Sequence, residues 1–188
     1  MPKTDPAREA LLTALEASGV SIPLWDGILI EETVRVAPGA TILPGCILRG
    51  NTTIAAGSVI GPGSVLTDAV IGKNCTVKNT YITESTLEEN VSIGPFSQVR
   101  PGCHIAAGCK IGDFVEVKNS HIGQKTAIAH LTYVGDTDCG SGVNFGCGVA
   151  IANFNGKEKF RTTIGDGAFL GCNTNLVAPV TIGAGAYT

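Results

Sequence analysis

Aliphatic side chains recur every six positions along most of this chain, and smaller or polar residues fill the places between them. The aliphatic positions form three runs: Val36, Ile42, Leu48, Ile54, Ile60 and Leu66; Ile93, Val99, Ile105, Ile111 and Val117; and Ile164, Leu170, Leu176 and Ile182. A hexapeptide period is typical of a parallel β-helix, in which each strand is short, a turn follows, and neighbouring coils stack. We therefore predict an all-β solenoid whose triangular coils each contain three hexads.

Two segments depart from this period. Asp5-Pro6 is typical of a helix start and Gly19 of a helix end, so a short N-terminal α-helix is predicted. The segment ANFNGKEKFRTT, at residues 152–163, is too charged for a coil and predicts one outward loop. Long loops on a rigid scaffold are usually functional, although a tolerated surface insertion is the alternative. We assign residues 1–27 to the helix and a linker, and residues 28–188 to the β-helix.

The spacing of the aliphatic residues shortens to five in places, and the hexad repeat continues to the last residues of the given sequence. Steps of five residues predict corners shortened by one residue, and they occur at Leu66 to Ile71, Val77 to Ile82, Ile82 to Leu87, Val117 to Ile122 and Val134 to Cys139. The last hexad begins just before Thr188. An uncovered coil exposes unpaired backbone groups, so we expect a partner or further coils to cover this end.

Composition narrows the classes of function. The net charge of -3 gives no sign of the basic surface that nucleic-acid-binding proteins carry. No segment is apolar enough to span a bilayer and no signal peptide is visible, so we expect a cytoplasmic protein. Four of the seven cysteines hold the fifth place of a hexad, where small residues otherwise sit, and these are Cys46, Cys75, Cys103 and Cys109. We interpret them as buried thiols, with a disulfide framework as the alternative.

The period brings two cations together. Lys118 follows Arg100 by 18 residues, which is one coil, so the two side chains are predicted to stack at about the inter-strand distance of 4.8 Å. Stacked cations repel each other unless an anion lies between them, and a phosphate group suits this position. In the alternatives, the two side chains point apart into solvent, or Glu116 serves as the counter-ion.

A second column contains His130, Cys147 and Cys172, each at the third place of a hexad in successive coils. Zinc is one interpretation, but only three ligands are visible and side chains in register point in parallel. The alternative is a groove along the solenoid axis that is lined by small residues and has His130 at one end.

His130 also has suitable neighbours for proton transfer. Tyr133 and Asn144 are expected nearby in the register, and Glu116 is expected on the coil beneath, under Tyr133. A carboxylate in that position can orient an imidazole and raise its basicity.

The segment from Val99 to Val180 resembles the acetyltransferase domain of the bacterial bifunctional N-acetylglucosamine-1-phosphate uridyltransferase / glucosamine-1-phosphate N-acetyltransferases, the GlmU family. The stretches that carry the resemblance are VRPGCHIAAGCKIGDFVEVKNS, HLTYVGD, NFGCGVAIANFNGKEKF and LVAPVTIGAG. The rest of the chain is similar only as hexapeptide coils.

The resemblance implies a left-handed parallel β-helix that forms a homotrimer with active sites between subunits. It implies acetyl transfer from acetyl-CoA, a co-substrate, to the amine of glucosamine 1-phosphate, for UDP-GlcNAc and cell-wall synthesis. No permanently bound cofactor and no metal are implied.

By position, the resemblance makes His130 the general base, assisted by Glu116. The implied sugar-phosphate contacts are Arg100, Lys118, Tyr133, Asn144 and Lys159. The implied acetyl-CoA contacts are Cys147, Asn153, Phe154 and Cys172.

The chain differs from the family in two motifs. The family's Asn-Tyr-Asp-Gly reads Asn-Phe-Asn-Gly at residues 153–156, and Cys147 and Cys172 replace a customary Ala and Ser. The uridyltransferase domain has no counterpart in the sequence, so we expect no uridyltransferase activity.

Other functions remain open. The alternatives are a hexapeptide acyltransferase with a different acceptor, or a non-catalytic trimeric paralogue. A carbonic anhydrase of this architecture needs three converging histidines, whereas His104, His121 and His130 are each expected at a different hexad place.

Overall fold

The computed structural model describes residues 5–188, which form one short α-helix and a parallel β-solenoid of about nine turns. Helix α1, Pro6–Ala17, begins as predicted, because the Asp5 carboxylate accepts hydrogen bonds from the backbone N–H groups of Ala7 and Arg8. Residues 1–4 of the predicted N-terminal segment lie outside the described residues. No helix within residues 5–188 combines the length and apolar character needed to cross a membrane.

The strands form three parallel sheets, which are the three faces of a triangular prism. The first face contains β1 (Leu29–Ile30), β4 (Ile47–Arg49), β7 (Val65–Thr67), β10 (Thr80–Thr83), β13 (Ser97–Val99), β16 (Glu116–Lys118), β19 (Tyr133–Gly135), β22 (Ala150–Ala152) and β25 (Asn175–Val177). The second face contains β2 (Arg35–Val36), β5 (Thr53–Ile54), β8 (Val70–Ile71), β11 (Thr86–Leu87), β14 (His104–Ile105), β17 (His121–Ile122), β20 (Thr137–Cys139), β23 (Thr162–Ile164) and β26 (Val180–Ile182). The third face contains β3 (Thr41–Ile42), β6 (Val59–Ile60), β9 (Thr76–Val77), β12 (Ser92–Ile93), β15 (Lys110–Asp113), β18 (Ala127–His130), β21 (Asn144–Phe145) and β24 (Phe169–Leu170).

The aliphatic residue of each hexad points into the prism and stacks on its counterpart in the next coil. On the first face, Val99 pairs with Val117 and Val117 with Val134, and all three are buried. Burying such a side chain is worth about 1.5–3 kcal/mol relative to exposure. A one-residue slip of register would turn every inward side chain outward. The hydrophobic ladder therefore fixes which residues of neighbouring coils lie side by side, and the predicted fold class is confirmed.

The predicted shortened corners are present, and they need a left-handed backbone. A five-residue step leaves one residue fewer for the turn, and that turn contains a residue with positive φ. These residues are Asp68, Asn79, Glu84, Asn119 and Asp136, with φ between 43° and 51°. Asn and Asp tolerate this region better than other side chains, which explains their frequency here.

The outward loop is confirmed, but it is shorter than the sequence predicts. Ala152 still belongs to β22, and β23 already begins at Thr162, whose side chain is buried. Only residues 153–161 leave the coil. Thr162 and Thr163 pair with Thr137 and Asp138 on the second face, so the ladder continues up to the base of the loop.

The cysteines behave as the hexad pattern predicts. Cys46, Cys75, Cys103 and Cys109 are buried, and burial raises the pKa of each thiol. All seven cysteines are free, so the alternative of a disulfide framework is wrong.

Gly112 lets two coils approach closely beside the third face. A Cβ atom there would lie 1.9 Å from the carbonyl oxygen of Ala129, whereas one at Gly183 would meet no atom within 4 Å. Both glycines follow an inward isoleucine, so they form a matched pair. We predict that Gly112→Ala destabilises the fold by about 1–3 kcal/mol, while Gly183→Ala has little effect. Urea unfolding of both variants measures this, and equal stabilities would show that the coils can move apart at no cost.

Candidate functional site

Three cations converge on the first face. The pairing of Val99 with Val117 brings Arg100 beside Lys118, and the Arg100 N–H donates to the Val117 carbonyl at 2.8 Å. The predicted stacking of these two cations is therefore confirmed. Lys159 of the outward loop lies close to Lys118. The Lys159 amine is the main cause of the lowered pKa of Lys118, and the loss of hydration on burial is the second cause. Arg100 also contributes to this lowering of the pKa.

Two carboxylates offset the repulsion within this cluster. The Arg100 guanidinium donates to Glu116 Oε1 at 2.8 Å, and Lys118 Nζ lies 3.9 Å from Asp136 Oδ2. The arrangement matches the alternative in which Glu116 is the counter-ion of Arg100. The Arg100 pair is about 40% exposed, and exposed ion pairs contribute little to stability, so it can be exchanged for another anion.

Asp136 is the buried centre of the cluster, although the hexad pattern does not mark it. Its side chain is 7% exposed and accepts hydrogen bonds from the side-chain amides of Asn119 and Asn153. The Asn153 amide also donates to the Tyr133 hydroxyl at 3.4 Å. Burial by itself raises the pKa of Asp136, but the two amide hydrogen bonds and the charge of Lys118 outweigh burial and lower it. Asp136 therefore stays ionised and fixes Tyr133, Asn153 and Lys118 around one point.

Arg161 anchors the outward loop at its base. Its guanidinium binds Asp138 on the second face through two hydrogen bonds, of 2.8 and 2.6 Å, and donates to the carbonyl oxygen of Asn119 at 3.2 Å. The hydrogen bond from Arg161 lowers the pKa of Asp138. The anchor sets the position from which Lys159, two residues earlier, approaches Lys118.

The tip of the loop is an ordered turn. Phe154 and Lys159 form an antiparallel bridge, and Asn155 Oδ1 accepts hydrogen bonds at 2.8 Å from the N–H groups of Lys157 and Glu158. Asn and Asp both make such turns, which explains how Asn155 can stand where the resembling family has Asp. Phe154 is 57% exposed and points away from the core.

His130 has a carboxylate partner, but it is Asp113. The two residues end β18 and β15 and pair directly, with His130 Nδ1 2.6 Å from Asp113 Oδ1. Glu116 does stack under Tyr133, as predicted, but its carboxylate binds Arg100. The expectation that Glu116 contacts His130 is therefore wrong, because Glu116 lies on the first face whereas His130 ends a strand of the third face.

The predicted column of His130, Cys147 and Cys172 is present along the edge between the third and first faces. The strand registers bring Cys147 beside His130, and Cys172 beside Cys147. Cys147 is half-buried and Cys172 is exposed. Within residues 5–188, no group of three or more His, Cys, Asp or Glu side chains is arranged to hold a metal ion.

Asn144 is separated from the cation cluster. It lies on the third face, where it pairs with Ala127 and Phe169. Tyr133 lies on the first face, between Glu116 and Ala150. Tyr133 and Asn144 therefore lie on different faces, with His130 at the edge between those two faces.

His104 and His121 occupy the same hexad place, because each directly precedes an inward isoleucine, so the prediction of different places is wrong for this pair. They pair in the ladder, and their rings stack with centroids 4.9 Å apart. His104 Nε2 also lies 2.7 Å from Glu88 Oε1. Both lie on the second face, away from His130, so the three histidines still do not converge.

Sequence comparisons relate the chain to hexapeptide-repeat transferases. A family model described as bacterial transferase hexapeptide (six repeats) matches residues 84–119. The bifunctional protein GlmU of Brevibacillus brevis is 45% identical over 180 residues, which are 96% of this chain and 39% of that relative. GlmU of Clostridium acetobutylicum is 46% identical over 162 residues, which are 86% of this chain and 36% of that relative. The chain spans less than two fifths of these relatives, within their C-terminal portion, and the predicted resemblance is confirmed.

A solved structure agrees on the fold. The UDP-N-acetylglucosamine acyltransferase of Francisella novicida matches with a TM-score of 0.54 and 16% identity, over 79% of this chain and 60% of that chain. At this identity the likeness concerns the fold alone. The shared fold is the left-handed β-helix, so the predicted hand of the solenoid is confirmed.

We predict that Asp138→Asn loosens the outward loop. The pKa of Asp138 is lowered in the fold, so the ion pair with Arg161 is complete above about pH 4 and is lost as the pH falls through the lowered pKa. At pH 7 the variant should be cleaved by trypsin after Lys157 or Lys159 about two- to fivefold faster, as suits an exposed pair worth ~0.5–1 kcal/mol. Glu89→Gln is the matched control, because it removes one exposed carboxylate from another coil and leaves both the anchor and the cleavage sites intact. Equal cleavage rates in all three proteins would contradict the anchoring role.

Proposed function

We propose that this chain, a hexapeptide-repeat domain similar to the C-terminal portion of the GlmU proteins, transfers the acetyl group of acetyl-CoA to the amine of glucosamine 1-phosphate. The observation that carries the proposal is the cluster of Arg100, Lys118 and Lys159 on the face next to His130. Three cations opposed by two carboxylates leave an excess of positive charge, which suits one phosphate group. We further propose that the reaction takes place in the cytoplasm.

The phosphate of the sugar would replace Glu116 as the partner of Arg100. Glu116 and Arg100 are both partly exposed, so exchanging this contact costs little. Guanidinium groups bind phosphate through paired hydrogen bonds, while Lys118 and Lys159 supply compact charges. Asp136 keeps Lys118 in position and, through Asn153, the Tyr133 hydroxyl, which faces the sugar in this proposal.

In the proposed reaction, the amine nitrogen attacks the thioester carbonyl carbon of acetyl-CoA. His130 takes a proton from the nitrogen as the C–N bond forms. The C–S bond then breaks, and the departing coenzyme A sulfur receives the proton from the imidazolium. The column of Cys147 and Cys172 continues from His130 along the same edge, so it offers a path of small side chains for the arm of coenzyme A.

We also propose that the active unit is a homotrimer in which two chains build each site. The cation cluster lies on the first face and Asn144 on the third face, so one ligand that touches both needs two chains. Sites for small molecules also need concavity, which neighbouring prisms provide and a single convex prism does not.

An apolar edge supports this assembly. Phe96, Phe114 and Leu131 occupy successive corners between the third and first faces, and we call them the apolar edge. Each is 57–58% exposed and has a positive φ, at 57°, 56° and 47° respectively. Bulky apolar residues are outliers in this backbone region and are costly to expose, which points to a covering surface. Phe114 directly follows Asp113 and Leu131 directly follows His130, so a second chain seated on this edge would lie beside the histidine.

Acetyl-CoA consumption with glucosamine 1-phosphate as acceptor tests the activity. We predict that His130→Ala lowers kcat by about 10²–10⁴-fold, the usual contribution of a general base. Lys118→Ala should instead raise the KM for the sugar phosphate about 10- to 100-fold, because a charge-assisted hydrogen bond is worth ~1.5–3 kcal/mol. Its KM for acetyl-CoA should change little.

Three outcomes would contradict the proposal. Turnover with another amine or hydroxyl and not with glucosamine 1-phosphate would indicate a different acceptor. No turnover with any acceptor, in an intact trimer, would indicate a non-catalytic paralogue. Full activity of His130→Ala would show that the histidine is a packing residue.

We predict that Phe114→Asn weakens the trimer without weakening the fold. Asn adopts positive φ more readily than Phe, so the corner should form at least as well, while the apolar surface is lost. Light scattering during gel filtration should show dissociation at concentrations where the unaltered protein is trimeric. Gln98→Asn, a polar change on the neighbouring first-face strand, serves as the control. A trimer of unchanged affinity in Phe114→Asn would show that another surface holds the subunits together.

A further inference from the structure

We infer that Asp113 is the residue that positions His130 and selects the proton-accepting nitrogen of its ring. The inference deepens the proposed function, on which its catalytic part rests. The role differs from the one expected for Glu116, which has a carboxylate of similar reach in the next strand along the chain.

The contact determines which ring nitrogen carries the proton. Asp113 Oδ1 lies 2.6 Å from His130 Nδ1, and the hydrogen bond from His130 lowers the pKa of Asp113, so the carboxylate is ionised at neutral pH. An ionised carboxylate only accepts hydrogen bonds, so Nδ1 must be the donor and must carry the hydrogen. In a neutral ring this leaves the lone pair on Nε2, which points away from Asp113 and is available to take a proton.

The backbone fixes the geometry of the pair. Asp113 and His130 are directly opposed in the ladder of the third face, and the Leu131 N–H donates to the Asp113 carbonyl at 3.0 Å. Gly112, one residue before Asp113, allows the two coils to approach within contact of Ala129. The two side chains therefore meet without a conformational search, and a longer or displaced carboxylate would not align in the same way.

Glu116 is engaged elsewhere. Its carboxylate accepts from Arg100 at 2.8 Å, and it lies beneath Tyr133 on the first face. Glu116 therefore acts on Arg100, the proposed phosphate contact, whereas Asp113 acts on His130, the proposed base. The two carboxylates should thus be separable by experiment, although only two residues stand between them in the sequence.

Both side chains of the pair are partly exposed in the chain, at 58% for His130 and 37% for Asp113. Water competes for an exposed pair, so the effect of removing Asp113 should be well below that of removing His130 itself. A loss of about tenfold in kcat is expected, with each KM within about twofold of its original value.

The tautomer of His130 can be measured directly, without any turnover. Protein labelled with ¹⁵N-histidine has three imidazoles, and His130→Ala identifies the relevant signals. In the unaltered protein, neutral His130 should carry its proton on Nδ1. In Asp113→Ala the balance should shift towards the Nε2–H form, while His104 and His121 stay unchanged and serve as internal controls. Glu116→Ala, which removes the same charge, should leave the tautomer as it was.

The kinetic measurement uses the same two variants. Asp113→Ala should lower kcat, whereas Glu116→Ala should change mainly the KM for the sugar phosphate. The inference is overturned if Asp113→Ala keeps the Nδ1–H tautomer, or if Glu116→Ala shifts it. A shifted tautomer in a protein with no acetyltransferase activity would support the structural role of Asp113 and count against the proposed function alone, so the two failures are distinguishable.

Discussion

The register between coils is the constraint on which the rest of this structure depends. One inward aliphatic residue per hexad locks each coil to its neighbours. Residues 16 to 18 positions apart therefore lie side by side, and the spacing is 25 positions where the outward loop intervenes. The same ladder therefore sets neighbours that repel, such as Arg100 and Lys118, and neighbours that attract, such as Asp113 and His130.

Opposite charges and hydrogen bonds compensate the charged groups that the ladder brings together. Asp136 stays ionised although it is buried, because two amides and a lysine compensate for its lost hydration. A buried charge without such partners would be strongly destabilising. The outward loop then adds Lys159 to the cluster and is itself held by the ion pair between Arg161 and Asp138. Scaffold and loop therefore contribute different cations to one cluster.

The hexad period predicts well which residues of neighbouring coils stack on each other. It predicts poorly how side chains are directed at the corners. The stacking of Arg100 on Lys118 follows from counting hexads, as does the outward loop. Asp136 and Asp113 were missed because one is a corner residue in a left-handed conformation and the other ends its strand just before such a corner. Hexad counting does not show which way a side chain turns at a corner, so it assigned Glu116 to His130. It also does not show that Tyr133 and Asn144, both expected near His130, lie on different faces of the prism.

We propose that the cation cluster holds a sugar phosphate while His130 receives a proton from the amine. A crystal structure of the protein with bound glucosamine 1-phosphate would show both contacts at once. We expect phosphate oxygens within hydrogen-bonding distance of Arg100, Lys118 and Lys159. Glu116 should be displaced from Arg100, and the amine nitrogen should face His130 Nε2. A phosphate bound away from these three cations, or an amine that faces no histidine, would contradict the proposal.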